Sequence, residues 1–138
     1  MSHNLKIACT KNNLKDIRDF VNSTLRKLCI PELEINMIVL AVDEICANRI
    51  IHSNNCDKEQ HLEVKIRDEN QGVSFEIVDE GEIFDHSDYV EPSLDQLVRE
   101  KRKGGLGLML VKRIMDSIEV KKENDYTVCR LFKKINVC

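Results

Sequence analysis

The sequence predicts an α+β fold, a two-layer α/β sandwich with helices on one face of a mainly antiparallel, mixed sheet. Three observations carry this. Segments of period two and segments of helical period succeed one another as strand, helix, helix, strand, strand, irregular stretch, helix, strand, strand. The 138 residues are enough for one domain with a substantial core, given about 100 to 200 residues per domain. No repeat, low-complexity run or linker-like segment divides them.

In order along the chain, "LKIACT" reads as a short strand. "NNLKDIRDFVNSTLRKL" is an amphipathic helix with Leu14, Ile17, Phe20, Val21 and Leu25 on one side. Pro31 suits the first turn of a second helix, which runs to about Asn54 and stops at the polar cluster "HSNNCDKEQ". Two alternating runs follow: Leu62, Val64 and Ile66, then Val73, Phe75 and Ile77, joined by the hairpin turn "DENQG". Residues 80 to about 103 lose periodicity, with Pro92 opening a short helix "PSLDQLVRE". A loop of that length inside a compact domain is usually functional. In "GGLGLMLVKRIMD" glycines give way to a helix with Leu108, Val111, Ile114 and Met115 inward, and the strands "SIEVKKE" and "YTVCRLFKK" close the order.

Composition excludes several classes. A net charge of -3, with acids and bases interleaved, gives no field for direct nucleic-acid binding. No stretch approaches the roughly 20 apolar residues of a membrane span. The six cysteines include no Cys-x-x-Cys pair, and "MSHNLKIACT" is no signal peptide, so they read as reduced thiols of a cytoplasmic protein, three of them facing the core.

One stretch is odd for an apolar helix. In "AVDEICANRIIH", Glu44, Asn48 and His52 recur every four residues, in the same sector as Met37, Leu40, Ala41, Ile45 and Ile51. That sector is expected to face the core, where an unpaired charge or amide costs several kcal/mol or shifts its pKa. The trio is therefore either an internal hydrogen-bond network or a ligand or metal site. The helix also carries Val39, Val42, Cys46 and Ile50 on its other side, so it must be covered twice, by the sheet and by the first helix. Two further segments point to a ligand. "VDEGEIFD" sets Asp79 and Gly81 where a buried strand ends, and "KGGLGL" sets three glycines immediately before a helix, whose free N–H groups suit phosphate.

Together, Glu44-x-x-x-Asn48-x-x-x-His52, Asp79-x-Gly81 and Gly105-x-Gly107 resemble the N box and the two glycine boxes of the GHKL ATPase superfamily. That superfamily has the Bergerat ATP-binding fold and includes gyrase, MutL and histidine kinases. Within it, "AVDEICANRIIH" and "GGLGLMLVKRIMD" look most like the anti-sigma-factor serine/threonine protein kinases. The resemblance spans the whole chain and implies a single histidine-kinase-like ATPase domain, residues 1–138, with an ATP lid at about 80–104.

The resemblance also implies roles. Asn48 would hold Mg²⁺ against the ATP phosphates. Glu44 would be the general base for a substrate Ser or Thr hydroxyl. Asp79 would accept from the adenine amino group, Gly81 would allow close approach, and the Thr127 hydroxyl would help hold adenine. Gly105 and Gly107 would let the lid fold over the phosphates, with Leu108 opening the helix. Lys103, with Arg102 beside it, would approach the terminal phosphate, where the alternative is a solvated charge run "REKRK". His52 takes a structural role. The function so implied is that of an anti-sigma regulatory factor, a dimer that sequesters a sigma factor and phosphorylates an antagonist protein. The alternatives are a non-catalytic sequestering module and a partner-switching kinase with a non-transcriptional target. Two positions depart from the pattern. Glu82 stands where much of the superfamily has a second glycine. Arg49 stands where an apolar residue usually follows the Asn, and it is free to pair with an acid such as Asp43 or to face a partner.

Overall fold

A computed structural model describes residues 2–81 and 103–138, with side chains in the second segment from Gly107 onward. The strands are β1 (Ser2–Ala8), β2 (His61–Glu69), β3 (Gly72–Asp79), β4 (Ser117–Glu123) and β5 (Tyr126–Lys134), and the α-helices are α1 (Leu14–Lys27), α2 (Glu32–Asn48) and α3 (Lys103–Ile114). The sheet order is β1-β2-β3-β5-β4. Every pairing among these strands is antiparallel, so the parallel component expected of a mixed sheet is missing among the described residues.

The period-two patterns explain the layering. Val64, Ile77 and Cys129 lie across from one another, as do Ile66, Phe75 and Leu131, and all six are buried on one face. Against that face pack Ile17, Val21 and Leu25 of α1, Ile35, Ile38, Val42 and Ile45 of α2, and Val111 and Ile114 of α3. The opposite face alternates charges, with Arg130 on Glu69 at 2.8 Å and Lys121 on Glu123 at 2.9 Å. It holds a groove of about 370 Å³ lined by Lys6, Glu63, Lys65 and Glu76. A half-solvated antiparallel sheet is built this way.

Helix α2 is the middle helix, touching both α1 and α3. Its second apolar side is thus covered by α3 as well as by the sheet and α1. The face expected to point inward does so only at Ala41 and Ile45. Met37 and Leu40 are 40% and 49% exposed, Leu33 is 73% exposed, Glu44 and Asn48 are half-buried and His52 is exposed. Steps of four residues drift by about 40° each at 3.6 residues per turn, so the trio climbs from the seam with α3 toward solvent.

At Asn48 the helix widens into one π turn, Arg49–Ser53, with the Asn54 N–H donating to the Arg49 carbonyl at 3.0 Å. Such turns favour functional sites. Arg49 and Ile50 are buried there.

The cysteines divide otherwise than expected. Cys29 and Cys138 form a disulfide across 109 residues, tying the chain's last residue to the α1–α2 turn. Both are exposed, and spacing alone could not reveal a pair so distant. Cys9, Cys46 and Cys129 are free and buried and Cys56 is free and exposed. Among the described residues no helix is long and apolar enough to cross a membrane.

Candidate functional site

The site has two ends, one on each side of the peptide bond between Asn48 and Arg49. At the first end, Glu44 and Asn48 lie one turn apart on the half-buried edge of α2. Helix α3 comes so close that a β-carbon at Gly107 would overlap the Glu44 carboxylate, which would have to swing aside. Burial raises the Glu44 pKa above its ordinary value, the neighbouring Asp43 adds to the rise, and His52 opposes it. Asp43 itself is held by Arg18 at 3.1 Å. Neither Glu44 nor Asn48 has a side-chain hydrogen bond among the described residues. A carboxylate with a raised pKa beside an unbonded amide can take a proton. No group of three His, Cys, Asp or Glu side chains is placed to hold a metal among the described residues. A cation at Asn48 would take its remaining ligands from phosphate and water, as Mg²⁺ commonly does.

At the second end, Asp79 closes β3 and is 1% exposed. Arg49 grips it through a fork, Nε to Oδ2 and Nη2 to Oδ1, both at 2.7 Å. The Gly81 N–H donates to Oδ1 at 2.7 Å and the Asn54 amide at 3.1 Å. The Asn54 amide also donates to the Arg49 carbonyl at 2.7 Å, which locks the π turn to the carboxylate. Thr127, directly across from Asp79 in the sheet, is fully buried and donates its hydroxyl to the Gly81 carbonyl at 2.8 Å. A β-carbon at Gly81 would lie 2.8 Å from Asp79 Oδ1 and 2.9 Å from Asn54 Nδ2, so this end is tightly filled.

The structure thus brings together Glu44, Asn48 and Gly107 at one end and Asp79, Gly81 and Thr127 at the other. Arg49 pairs with Asp79 rather than with Asp43. Leu108 is buried in the second turn of α3, because the helix starts at Lys103 and takes the glycines, Gly105 included, into its first turns; it does not open there. The Lys103 side chain, Arg102, Glu82, the helix expected after Pro92 and the rest of the lid lie outside the described residues. Sequence reasoning missed Asn54, whose place in a polar cluster carried no signal, and the partner of Arg49, which is 30 residues distant.

The profile of the family described as histidine kinase-like ATPase domain matches residues 7–133. The serine-protein kinase RsbW of Bacillus licheniformis is 28% identical over 99 residues, covering 69% of this chain and 62% of that protein. The chain therefore spans less than two thirds of the RsbW length. The anti-sigma F factor of Clostridium perfringens is 27% identical over 101 residues, covering 73% of this chain and 72% of that protein. Among solved structures, the RsbU and RsbW domains of a Mycobacterium tuberculosis protein superpose with a TM-score of 0.69 at 14% identity, over 99% of this chain and 32% of that one. The SiaB–SiaC complex of Pseudomonas aeruginosa gives 0.60 at 15% identity, over 96% of this chain and 89% of that one. At those identities the structures establish the fold.

Proposed function

This chain belongs to the histidine kinase-like ATPase domain family, and from that premise we propose that it is an ATP- and Mg²⁺-dependent protein serine/threonine kinase that acts as an anti-sigma factor. In this reading residues 1–138 work as one nucleotide-binding domain that phosphorylates an antagonist protein and sequesters a sigma factor, as a homodimer. The observation that carries it is the meeting of Glu44, Asn48 and Gly107 at the α2–α3 seam, in a chain whose relatives are named serine-protein kinase and anti-sigma F factor.

The residues fit the phosphate end of such a ligand. Asn48 would hold Mg²⁺ through its amide oxygen, Gly107 lets the Glu44 carboxylate lie against the start of α3, and Lys103 would approach the terminal phosphate. ATP, when bound, supplies the phosphoryl group. Glu44 takes the proton of the attacking Ser or Thr hydroxyl, and its raised pKa brings it nearer the range in which a carboxylate base works well. The substrate hydroxyl is oriented rather than activated by any covalent step on the protein.

At the base end the Asp79 carboxylate already accepts four hydrogen bonds from within the chain, three on Oδ1 and one on Oδ2. That favours a second reading, a module that sequesters its partner without turning over nucleotide. The deciding experiment is transfer of labelled phosphate from Mg-ATP to small antagonist domains of the same genome. Label on one antagonist supports the kinase and names its substrate. No label on any candidate, with a sigma factor still retained on the immobilised chain, supports the module instead.

A further inference from the structure

The wet side of α2 leads beyond that reading. Among the described residues four large apolar or aromatic side chains are exposed, and three of them, Leu33, Met37 and Leu40, belong to this one helix. At about 100° per residue they fall, together with Glu44, within a sector of about 60°. The strip starts in the first turn of α2, and its last member, Leu40, lies one turn, about 6 Å along the axis, from Glu44. Single exposed apolar residues are ordinary, whereas several in a row on one helix face mark an interaction site. The helix does not need them for its own packing, because Ile35, Ile38 and Val42 fill the core from its opposite side. On the border with α1 the charges are paired within the chain: Arg26 holds Glu32 at 3.2 Å and Arg18 holds Asp43 at 3.1 Å. What the strip offers a partner is therefore aliphatic surface.

The order of parts along α2 says what that partner is. In the kinase reading the base end lies at Asp79, gripped by Arg49 just past the helix, the cation sits at Asn48 and the general base is Glu44. From base to phosphate to acceptor, the site thus runs toward the N-terminus of α2. Whatever brings a hydroxyl to Glu44 arrives on the side away from the nucleotide, and there the strip begins. We propose that Leu33, Met37 and Leu40 form the docking surface for the protein substrate: an aliphatic patch of the antagonist seats on them and delivers its Ser or Thr hydroxyl to Glu44. This rests on the kinase reading above and names where that kinase holds its substrate. A second copy of the chain fits less well, since three side chains fall short of the about 800 Å² per partner that a stable interface usually buries, whereas a substrate that must leave after each turnover needs only a small one.

The test is transfer of labelled phosphate from Mg-ATP to the small antagonist domains of the same genome at graded concentrations, with wild type and the triple variant Leu33→Gln, Met37→Gln, Leu40→Gln side by side. Glutamine is a good helix former and removes the apolar surface. The variant is expected to raise the KM for the labelled antagonist roughly tenfold or more, with kcat at saturating antagonist and the KM for ATP unchanged, the pattern of lost substrate binding rather than lost chemistry. Its melting temperature should stay at the wild-type value. Leu33→Gln alone, at the most exposed of the three positions, should shift KM the same way by a smaller factor. Light scattering with Mg-ATP is run on both proteins, and an unchanged mass is expected. An unmoved KM, or a kcat that falls instead, overturns the inference and leaves the kinase reading standing. So does a wild-type dimer that the variant breaks into monomers, which would assign the strip to a second copy. Absence of label on every candidate with wild type overturns the kinase reading and the inference with it.

Discussion

Asn48 and Arg49 are neighbours in the chain, yet they serve regions with opposite physics. On the Asn48 side the polar groups are half-buried and unbonded among the described residues, and the absence of a side chain at Gly107 makes room for the Glu44 carboxylate. On the Arg49 side every oxygen of Asp79 is taken and the cluster is sealed. The helical step produces the difference. Arg49 keeps α-helical backbone angles and turns about 100° from Asn48, onto the side of α2 where Ile45 and Cys46 are buried, while Glu44 and Asn48 run along the half-buried seam. An open region holds groups ready to act, whereas a closed one holds groups that already stabilise the fold. Substitutions on the two sides should therefore separate activity from stability.

The largest effect is expected at the open end. Glu44→Ala should lower phosphotransfer by about 100- to 10,000-fold, the usual contribution of a general base. Nucleotide affinity and the melting temperature should hardly move. A variant that loses stability in proportion to activity would erase the contrast between the regions.

Asp79→Ala should show the reverse. It strands the buried Arg49 guanidinium, and breaking one partner of a buried pair costs about 3 to 5 kcal/mol. Chemical denaturation should register that loss whether or not nucleotide is present, and a change under 1 kcal/mol, estimated on the same scale, would mean that the cluster is not a closed one.

The Cys29–Cys138 disulfide provides a control remote from both ends. Reduction, or Cys138→Ser, should destabilise by about 2 to 4 kcal/mol, because the bridge restrains a long unfolded loop. Phosphotransfer at a temperature where the reduced chain remains folded should be unchanged.

Gly107→Ala sharpens the comparison from the α3 side. The added methyl meets the Glu44 carboxylate, and overpacking of this kind costs about 1 to 3 kcal/mol. Because Glu44 is displaced too, activity should fall further than stability alone accounts for, and single-turnover rates measured on the folded variant would detect this.

The smallest effect concerns pH. Glu44 has a folded pKa above its unfolded one, so its contribution to stability is fully present below the unfolded value and is lost as pH rises through the folded value. Glu44→Gln should therefore unfold at a slightly higher temperature than wild type at neutral pH, and the gain should vanish in acid. Activity runs the opposite way, since only ionised Glu44 accepts a proton, so the acidic limb of the rate profile should lie above the ordinary carboxylate range. Equal melting of the two proteins at neutral and acidic pH would count against this account.

Much of the molecule is legible in the sequence. The alternation of Leu62, Val64 and Ile66 with charged neighbours determines which side of β2 is wet, because a one-residue slip would reverse the whole strand. The helical periods of α1 and α2 and the turn around Gln71 and Gly72 are equally local. The four-residue recurrence of Glu44, Asn48 and His52, the Asp79-x-Gly81 pair and the glycines before Leu108 led to the family that residues 7–133 match. All these signals come from residues close in sequence, so periodicity, turn chemistry and spacing express them without knowledge of the fold.

Only the tertiary structure decided the rest. Whether Glu44 and Asn48 face the core or its rim depends on where α3 lies, and α3 is joined to α2 through the whole sheet. The partner of Arg49 is 30 residues away on β3, and that of Cys29 is 109 residues away at the last residue. Which acid an arginine chooses, and which thiols meet, are questions of distance in space, and no local pattern in this chain encodes them. For this reason the sequence could single out Asp79 in its Asp79-x-Gly81 pair, while only the folded chain revealed that Arg49 grips it.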